Sequence, residues 1–140
     1  MRITNDSRFA IRRSFFPGLG DGLFAAYSLP QGEFILEYEG ERIPTGTAED
    51  TGSRYLFLID DAWTIDGPVP GNTAGFINHA CEPNCQAVLE DDRIMIYAKR
   101  DIRSGEELTL DYGPEYFDRF IAPVGCKCTM CINLQQRELN

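Results

Sequence analysis

The chain has 140 residues, 43% hydrophobic and 25% charged, an ordinary globular composition of one-domain size that argues against a disordered or fibrous protein. No apolar run approaches the roughly 18 residues of a membrane span, and the opening MRITNDSRFAIRRSFF has no apolar signal core, so neither membrane insertion nor export is expected. The net charge of −9 divides as +2 over residues 1–30, −7 over 31–67, −3 over 68–97 and −1 over 98–140, which disfavours direct nucleic-acid binding and favours a basic protein or peptide partner.

In PGLGDGLFA (17–25), Gly18, Gly20 and Gly22 are spaced G-x-G-x-G and no long helix follows, so a dinucleotide-binding turn is excluded. By themselves these glycines predict a tight turn whose amides can approach a ligand closely. EFILEYEGE (33–41) reads as a half-buried strand, with Phe34, Leu36 and Tyr38 on one face and Ile35, Glu37 and Glu39 on the other. YLFLIDDAWTIDG (55–67) is a hairpin turning at Asp60-Asp61, and AVLEDDRIMIYA (87–98) is a second one turning around Glu90-Asp91-Asp92. Between them GFINHACEPNC (75–85) holds the lone histidine, His79, with Asn78, Cys81 and Cys85. GEELTLDYG (105–113) is a strand that ends on Tyr112, and EYFDRF (115–120) suits a short helix. Gly and Pro mark nearly every join, and no helical stripe, repeat or linker interrupts what reads as one β-rich unit.

Five cysteines in a chain with no export signal point to reduced thiols or a metal rather than disulfides. Cys126, Cys128 and Cys131 crowd three thiols into six residues, an arrangement that a soft divalent ion such as zinc relieves. A closed zinc site needs a fourth ligand, and the 75–85 loop offers His79, Cys81 or Cys85. A zinc-thiol redox sensor is the lesser reading of the same residues.

Taken in order, GLGDGLFA, LEYEGE, GFINHACEPNC, GEELTLDY and the cysteine tail resemble the SET-domain protein lysine methyltransferases with a cysteine-rich post-SET tail, from about Phe9 to Cys131. The resemblance implies a mainly β fold, small curved sheets around a pseudoknot, with the Asn-His segment passing beneath the loop of the last motif. It implies a SET domain over residues 1–113, a zinc-binding post-SET tail over 114–140, and S-adenosylmethionine-dependent N-methylation of a lysine on a basic protein such as a histone. A catalytically weak SET module that binds proteins is the alternative. By the same resemblance, Leu19, Gly20, Asp21 and Gly22 hold the methionine end of the cofactor. Asn78 and the backbone of His79 hold the rest, His79 chiefly through the adenine, and Tyr55 and Tyr112 line the pocket. Tyr112 is the catalytic tyrosine. Tyr38 assists at the reacting end and lines the lysine channel with Leu110 and Tyr112. One structural zinc ion sits on Cys81, Cys126, Cys128 and Cys131, leaving Cys85 out.

Some positions depart from the family pattern. The tail is C-x-C-x2-C where C-x-C-x4-C is usual, and Ala80 and Gly75 stand for a serine and an arginine, so weaker cofactor anchoring is expected. Leu110 stands where an aromatic residue is usual, which leaves room for di- or trimethylation. A short insert between Glu41 and Tyr55 fits a stand-alone form of bacterial or viral kind, cytoplasmic if bacterial and in a host nucleus if viral or an effector. A homodimer is compatible with all of this.

Overall fold

Short apolar runs separated by glycine, proline and aspartate make short strands. The computed structural model of the chain describes residues 2–3, 6–69, 71–113 and 126. In chain order the strands are β1 (Arg2–Ile3), β2 (Phe9–Arg13), β3 (Asp21–Ala25), β4 (Phe34–Glu37), β5 (Glu41–Pro44), β6 (Leu56–Leu58), β7 (Trp63–Asp66), β8 (Asn78–His79), β9 (Cys85–Glu90), β10 (Arg93–Ala98) and β11 (Thr109–Leu110). The helical elements among the described residues are brief. One turn of α-helix, α1 (Thr45–Ala48), runs into a 3-10 turn at Glu49–Thr51, and a second 3-10 turn covers Thr73–Phe76. None is long and apolar enough to cross a membrane.

The strands form three antiparallel sheets, ordered β1-β2-β3, β4-β10-β9 and β5-β7-β6, and one parallel pair, β11-β8. Both expected hairpins are present. In the β9–β10 hairpin, Glu90 faces Arg93 and the two loop residues, Asp91 and Asp92, take φ of 51° and 61°. A two-residue hairpin loop needs this left-handed geometry to match the strand twist, and aspartate tolerates it better than most residues. The Asn-His segment and the last motif lie side by side as the β8–β11 pair, with Asn78 opposite Thr109 and His79 opposite Leu110.

The core gathers residues from every sheet: Leu23 from β3, Ile35 from β4, Ile65 from β7, Ile94 and Ile96 from β10, with Ile77, Ile102 and Leu108 from the connections. The alternation expected for EFILEYEGE fails at its start. Phe34 is 40% exposed and stacks edge-on against Tyr97 at 5.7 Å, while Ile35 is fully buried. A bulge explains the difference: Ile96 pairs with Leu36 and Tyr97 with Phe34, so Ile35 is an extra residue in β4 and turns into the core. Tyr38 recovers the inward face and is 8% exposed.

The glycine segment differs in a second way. Gly18 and Gly20 sit in the connection at φ of 78° and 70°, but Gly22 belongs to β3. That strand is flanked by the last motif, since Leu108 N–H donates to Leu23 C=O and Ala25 N–H donates to Glu106 C=O. Backbone pairing thus puts two distant motifs side by side.

Candidate functional site

Glu107 stands where the two motifs meet. It is 6% exposed, and its carboxylate accepts hydrogen bonds from Ser14 Oγ (2.8 Å), the Phe15 amide (2.9 Å) and Asn78 Nδ2 (3.0 Å). The same Asn78 amide group donates to Asp21 C=O at 3.1 Å. A Cβ at position 22 would collide with the Glu107 carboxylate, which accounts for Gly22. Gly22 and Asn78 therefore border the Glu107 side chain, and Asn78 ties it to the Asp21 backbone; Leu19 and Gly20 lie just ahead in the same turn. Sequence reasoning quoted Glu107 within its motif and gave it no role. The available signal was a charged side chain directly before LTL, a run that strand burial takes inward.

Asn84 is a second residue that went unassigned. Buried at 3% exposure, it accepts from the Thr109 amide at 2.8 Å through Oδ1 and donates to Glu107 C=O at 2.9 Å through Nδ2. Its own amide donates to Thr109 Oγ1 at 3.0 Å. Removing such a paired side chain strands two buried backbone groups, the Thr109 amide and the Glu107 carbonyl, each worth about 1–3 kcal/mol. This clamp holds the end of the 75–85 loop against β11.

The tyrosines lie along the core beside this pair. Tyr38 donates its hydroxyl proton to Tyr55 C=O at 2.8 Å and packs its ring on Phe57 at 5.1 Å. Tyr112 packs against the core cluster that contains Tyr38 and Leu110, and its hydroxyl donates to Ile77 C=O. Leu110 is 3% exposed within that cluster. Gly75 closes the 3-10 turn at Thr73–Phe76, where a Cβ would press on Val69 Cγ1 at 2.9 Å.

On the other side of β8 sulfur gathers. Cys81 Sγ lies 4.0 Å from Cys126 Sγ and 3.6 Å from His79 Nε2, and the three donor atoms fall within 4.8 Å of one another. A tetrahedral zinc site has S···S edges of about 3.8 Å and S···N edges of about 3.5 Å, so the donor set fits that ion in size and softness. His79 Nδ1 accepts the Tyr112 amide proton at 3.0 Å. Burial holds the imidazole below its ordinary pKa, an effect that the Asp111 carboxylate partly offsets. Cys128 and Cys131, like the 115–120 segment, lie outside the described residues. Cys85 is away from the cluster, in the core, donating to Asn84 Oδ1 at 3.4 Å. Burial pushes its thiol up to about 12, so it stays protonated and inert at neutral pH.

A mainly β fold whose histidine strand pairs in parallel with a terminal Asp-Tyr motif defines a narrow structural class, and comparison gives the class its name. Residues 20–113 match the SET domain family, to which the chain belongs. The chain is 42% identical over 123 residues to "Histone-lysine N-methyltransferase set1" of Dictyostelium discoideum, an alignment covering 79% of this chain and 8% of that protein. It is 45% identical over 104 residues to "Histone-lysine N-methyltransferase, H3 lysine-4 specific" of Saccharomyces cerevisiae, covering 65% of this chain and 10% of that protein. It is 39% identical over 125 residues to "Histone-lysine N-methyltransferase trithorax" of Drosophila melanogaster, covering 80% and 3%. Among solved structures, a chain of the Chaetomium thermophilum polycomb repressive complex 2 superposes with a TM-score of 0.70 at 30% identity, over 76% of this chain and 15% of that one. The chain thus spans a tenth or less of the length of these curated relatives.

Proposed function

We propose that this chain is an S-adenosylmethionine-dependent protein-lysine N-methyltransferase acting on a basic protein, a histone or histone-like protein. The observation that carries the reading is the convergence at β8–β11, where Asn78 ties the glycine strand to Glu107 on one side and His79, the next residue, accepts the Tyr112 amide proton on the other. The turn before β3 suits a bound cofactor: there is open space at Gly18 and Gly20, so the backbone there can approach a ligand closely. When bound, S-adenosylmethionine supplies an electrophilic methyl group on a sulfonium.

In this reading the chain positions and the electrostatics accelerate; no covalent intermediate is required. Leu19, Gly20, Asp21 and Gly22 bind the methionine end, Asn78 and the His79 backbone the remainder, and Tyr55 borders the pocket. Tyr112 aligns the lysine amine through its hydroxyl. Tyr38 and Leu110 wall the lysine channel, an aromatic and aliphatic surface suited to an alkyl stem and ammonium head. The amine reacts neutral, while free lysine titrates near 10.4, so turnover is expected to rise toward alkaline pH.

The domain division is part of the proposal: residues 1–113 form the SET domain, and 114–140 a post-SET tail closed by one structural zinc on Cys81, Cys126, Cys128 and Cys131. The Cys81–Cys126 approach of 4.0 Å supports that zinc. The acidic stretch of −7 over residues 31–67 supports a basic substrate, and the histone-modifying relatives support chromatin as its place. Incubating the chain with labelled cofactor and a panel of basic proteins, then mapping methylated lysines by mass spectrometry, tests the activity. Cofactor binding without transfer to any of them would favour a binding module.

A further inference from the structure

His79 is the chain's only histidine, and both of its ring nitrogens are engaged. Nδ1 accepts the Tyr112 amide proton at 3.0 Å, and Nε2 faces Cys81 Sγ at 3.6 Å. A neutral imidazole carries one N–H and one lone pair, and a backbone amide only donates. The lone pair therefore sits on Nδ1 and the proton on Nε2. The Asp111 carboxylate would favour the opposite tautomer, but its oxygen is 3.9 Å from Nδ1, beyond hydrogen-bond reach, and its side chain is 59% exposed.

This tautomer decides what the sulfur cluster asks of His79. A ring that binds a metal through Nε2 must present its lone pair there and carry its proton on Nδ1, where ligating histidines usually donate to an acceptor. Here that would set two N–H groups against each other at 3.0 Å. Although size and softness admit His79 as a ligand, hydrogen-bond direction makes Nε2–H a donor to the Cys81 sulfur.

We propose that His79 is a positioning residue that links the Cys81 thiolate of the zinc site to the backbone of Tyr112. Its consequence for catalysis rests on the zinc and methyltransferase reading; the ring tautomer does not. Metal binding deprotonates its thiol ligands, and an N–H···S⁻ bond is stronger than one to a neutral thiol. A zinc ion held by Cys81 would keep that sulfur a thiolate, so the Nε2–H contact to it would strengthen and hold Nδ1 under the Tyr112 amide. The frame around the ring is stiff enough to transmit this. Ala80 N–H donates to Leu110 C=O at 3.0 Å, so residues 79–81 run alongside 110–112, and the Tyr112 hydroxyl is tied to Ile77 C=O.

With a single histidine, 15N-histidine labelling of the full chain reports this ring alone, in zinc-loaded and chelator-stripped protein of measured metal content. The expected spectrum has the proton on Nε2 in both forms, and cadmium-113 substituted for zinc shows no coupling to Nε2. A proton on Nδ1, or cadmium–Nε2 coupling, overturns the assignment whether or not the chain transfers methyl groups. Tyrosine-labelled protein adds the second readout: stripping the metal should shift the Tyr112 amide resonance in wild type but not in His79→Asn, which keeps an acceptor for that amide and lacks the donor to Cys81. An amide indifferent to the metal, or equally responsive in both proteins, overturns the coupling. His79→Gln, which keeps the donor and loses the acceptor, guards against a variant that fails to fold and should lose the response as well. In active enzyme both variants should lower kcat about 10–100-fold with little change in cofactor KM. A rise in KM at unchanged kcat counts against a role in positioning Tyr112.

Discussion

Asn78 and His79 are adjacent in a two-residue strand, and their side chains serve different chemistry. Asn78 Nδ2 joins oxygen acceptors, the Asp21 carbonyl and the Glu107 carboxylate. His79 turns to sulfur, with Cys81 and Cys126 near its ring. Successive side chains of a strand leave on opposite faces, so one dipeptide supplies two environments. The density of the 75–85 loop thus comes from lying between two side-chain clusters rather than from building one. Its far end, Asn84 and Cys85, belongs to neither and anchors the loop in the core.

Tyr112 meets the sulfur face through its amide, which reaches His79, and its hydroxyl donates to the C=O of Ile77, the residue before Asn78. Tyr112→Phe should therefore produce the largest loss, on the order of 10²–10³ in turnover, with fold and cofactor affinity mostly retained. Methyl transfer at wild-type rates by this variant would remove Tyr112 from the catalytic role. The sulfur face is tested by metal content. About one zinc per chain is expected, lost in Cys128→Ser and kept in Cys85→Ser, because the buried Cys85 thiol stays protonated. Zero zinc in reduced protein would sink the metal assignment, and loss on the Cys85 change would mean that the wrong cysteine had been set aside.

The oxygen face is broken by Asn78→Ala, which withdraws a donor from the buried Glu107 carboxylate. A stability loss of about 1–3 kcal/mol and weaker cofactor binding by calorimetry are expected, with the zinc content unchanged. If zinc leaves along with the cofactor, the two faces are not independent. A smaller effect concerns pH. Folded Cys85 titrates near 12 against an ordinary value of 9.0, so the folded chain holds this proton more tightly than the unfolded one. That contribution is complete below pH 9 and is lost as pH rises toward 12. Denaturant melts should show wild type losing more stability than Cys85→Ala across that window. The smallest expected change is in product: Leu110→Tyr should shift the distribution toward monomethyl-lysine, whereas wild type should proceed beyond it. A wild-type product that stops at one methyl group would show that a buried leucine here leaves no extra room.

Both hairpins were legible because turn chemistry is local. Asp91 and Asp92 carry the left-handed geometry wherever the strands pack. The motif residues were legible for a related reason, as their types and order are written along the chain. The bulge at Ile35 was not, because it exists only in the pairing of β4 with β10, about 60 residues away in sequence. Glu107 escaped notice because its partners, Ser14, Phe15 and Asn78, meet it only through non-local contacts.

The cysteines mark the same boundary. Composition and spacing were enough to propose a soft metal for Cys126, Cys128 and Cys131, since three thiols within six residues match the spacing of metal-binding cysteines. Cys81 and Cys85 are four positions apart in one loop, and nothing local separates them. The tertiary structure does: the chain leaves β8 with Cys81 beside Cys126, then enters β9 with Cys85 inside the core. Burial makes one sulfur an inert thiol, and partial exposure beside a second sulfur leaves the other suited to the proposed metal. Which nitrogen of His79 holds its proton was decided at the same level, by a backbone amide 33 residues further along the chain.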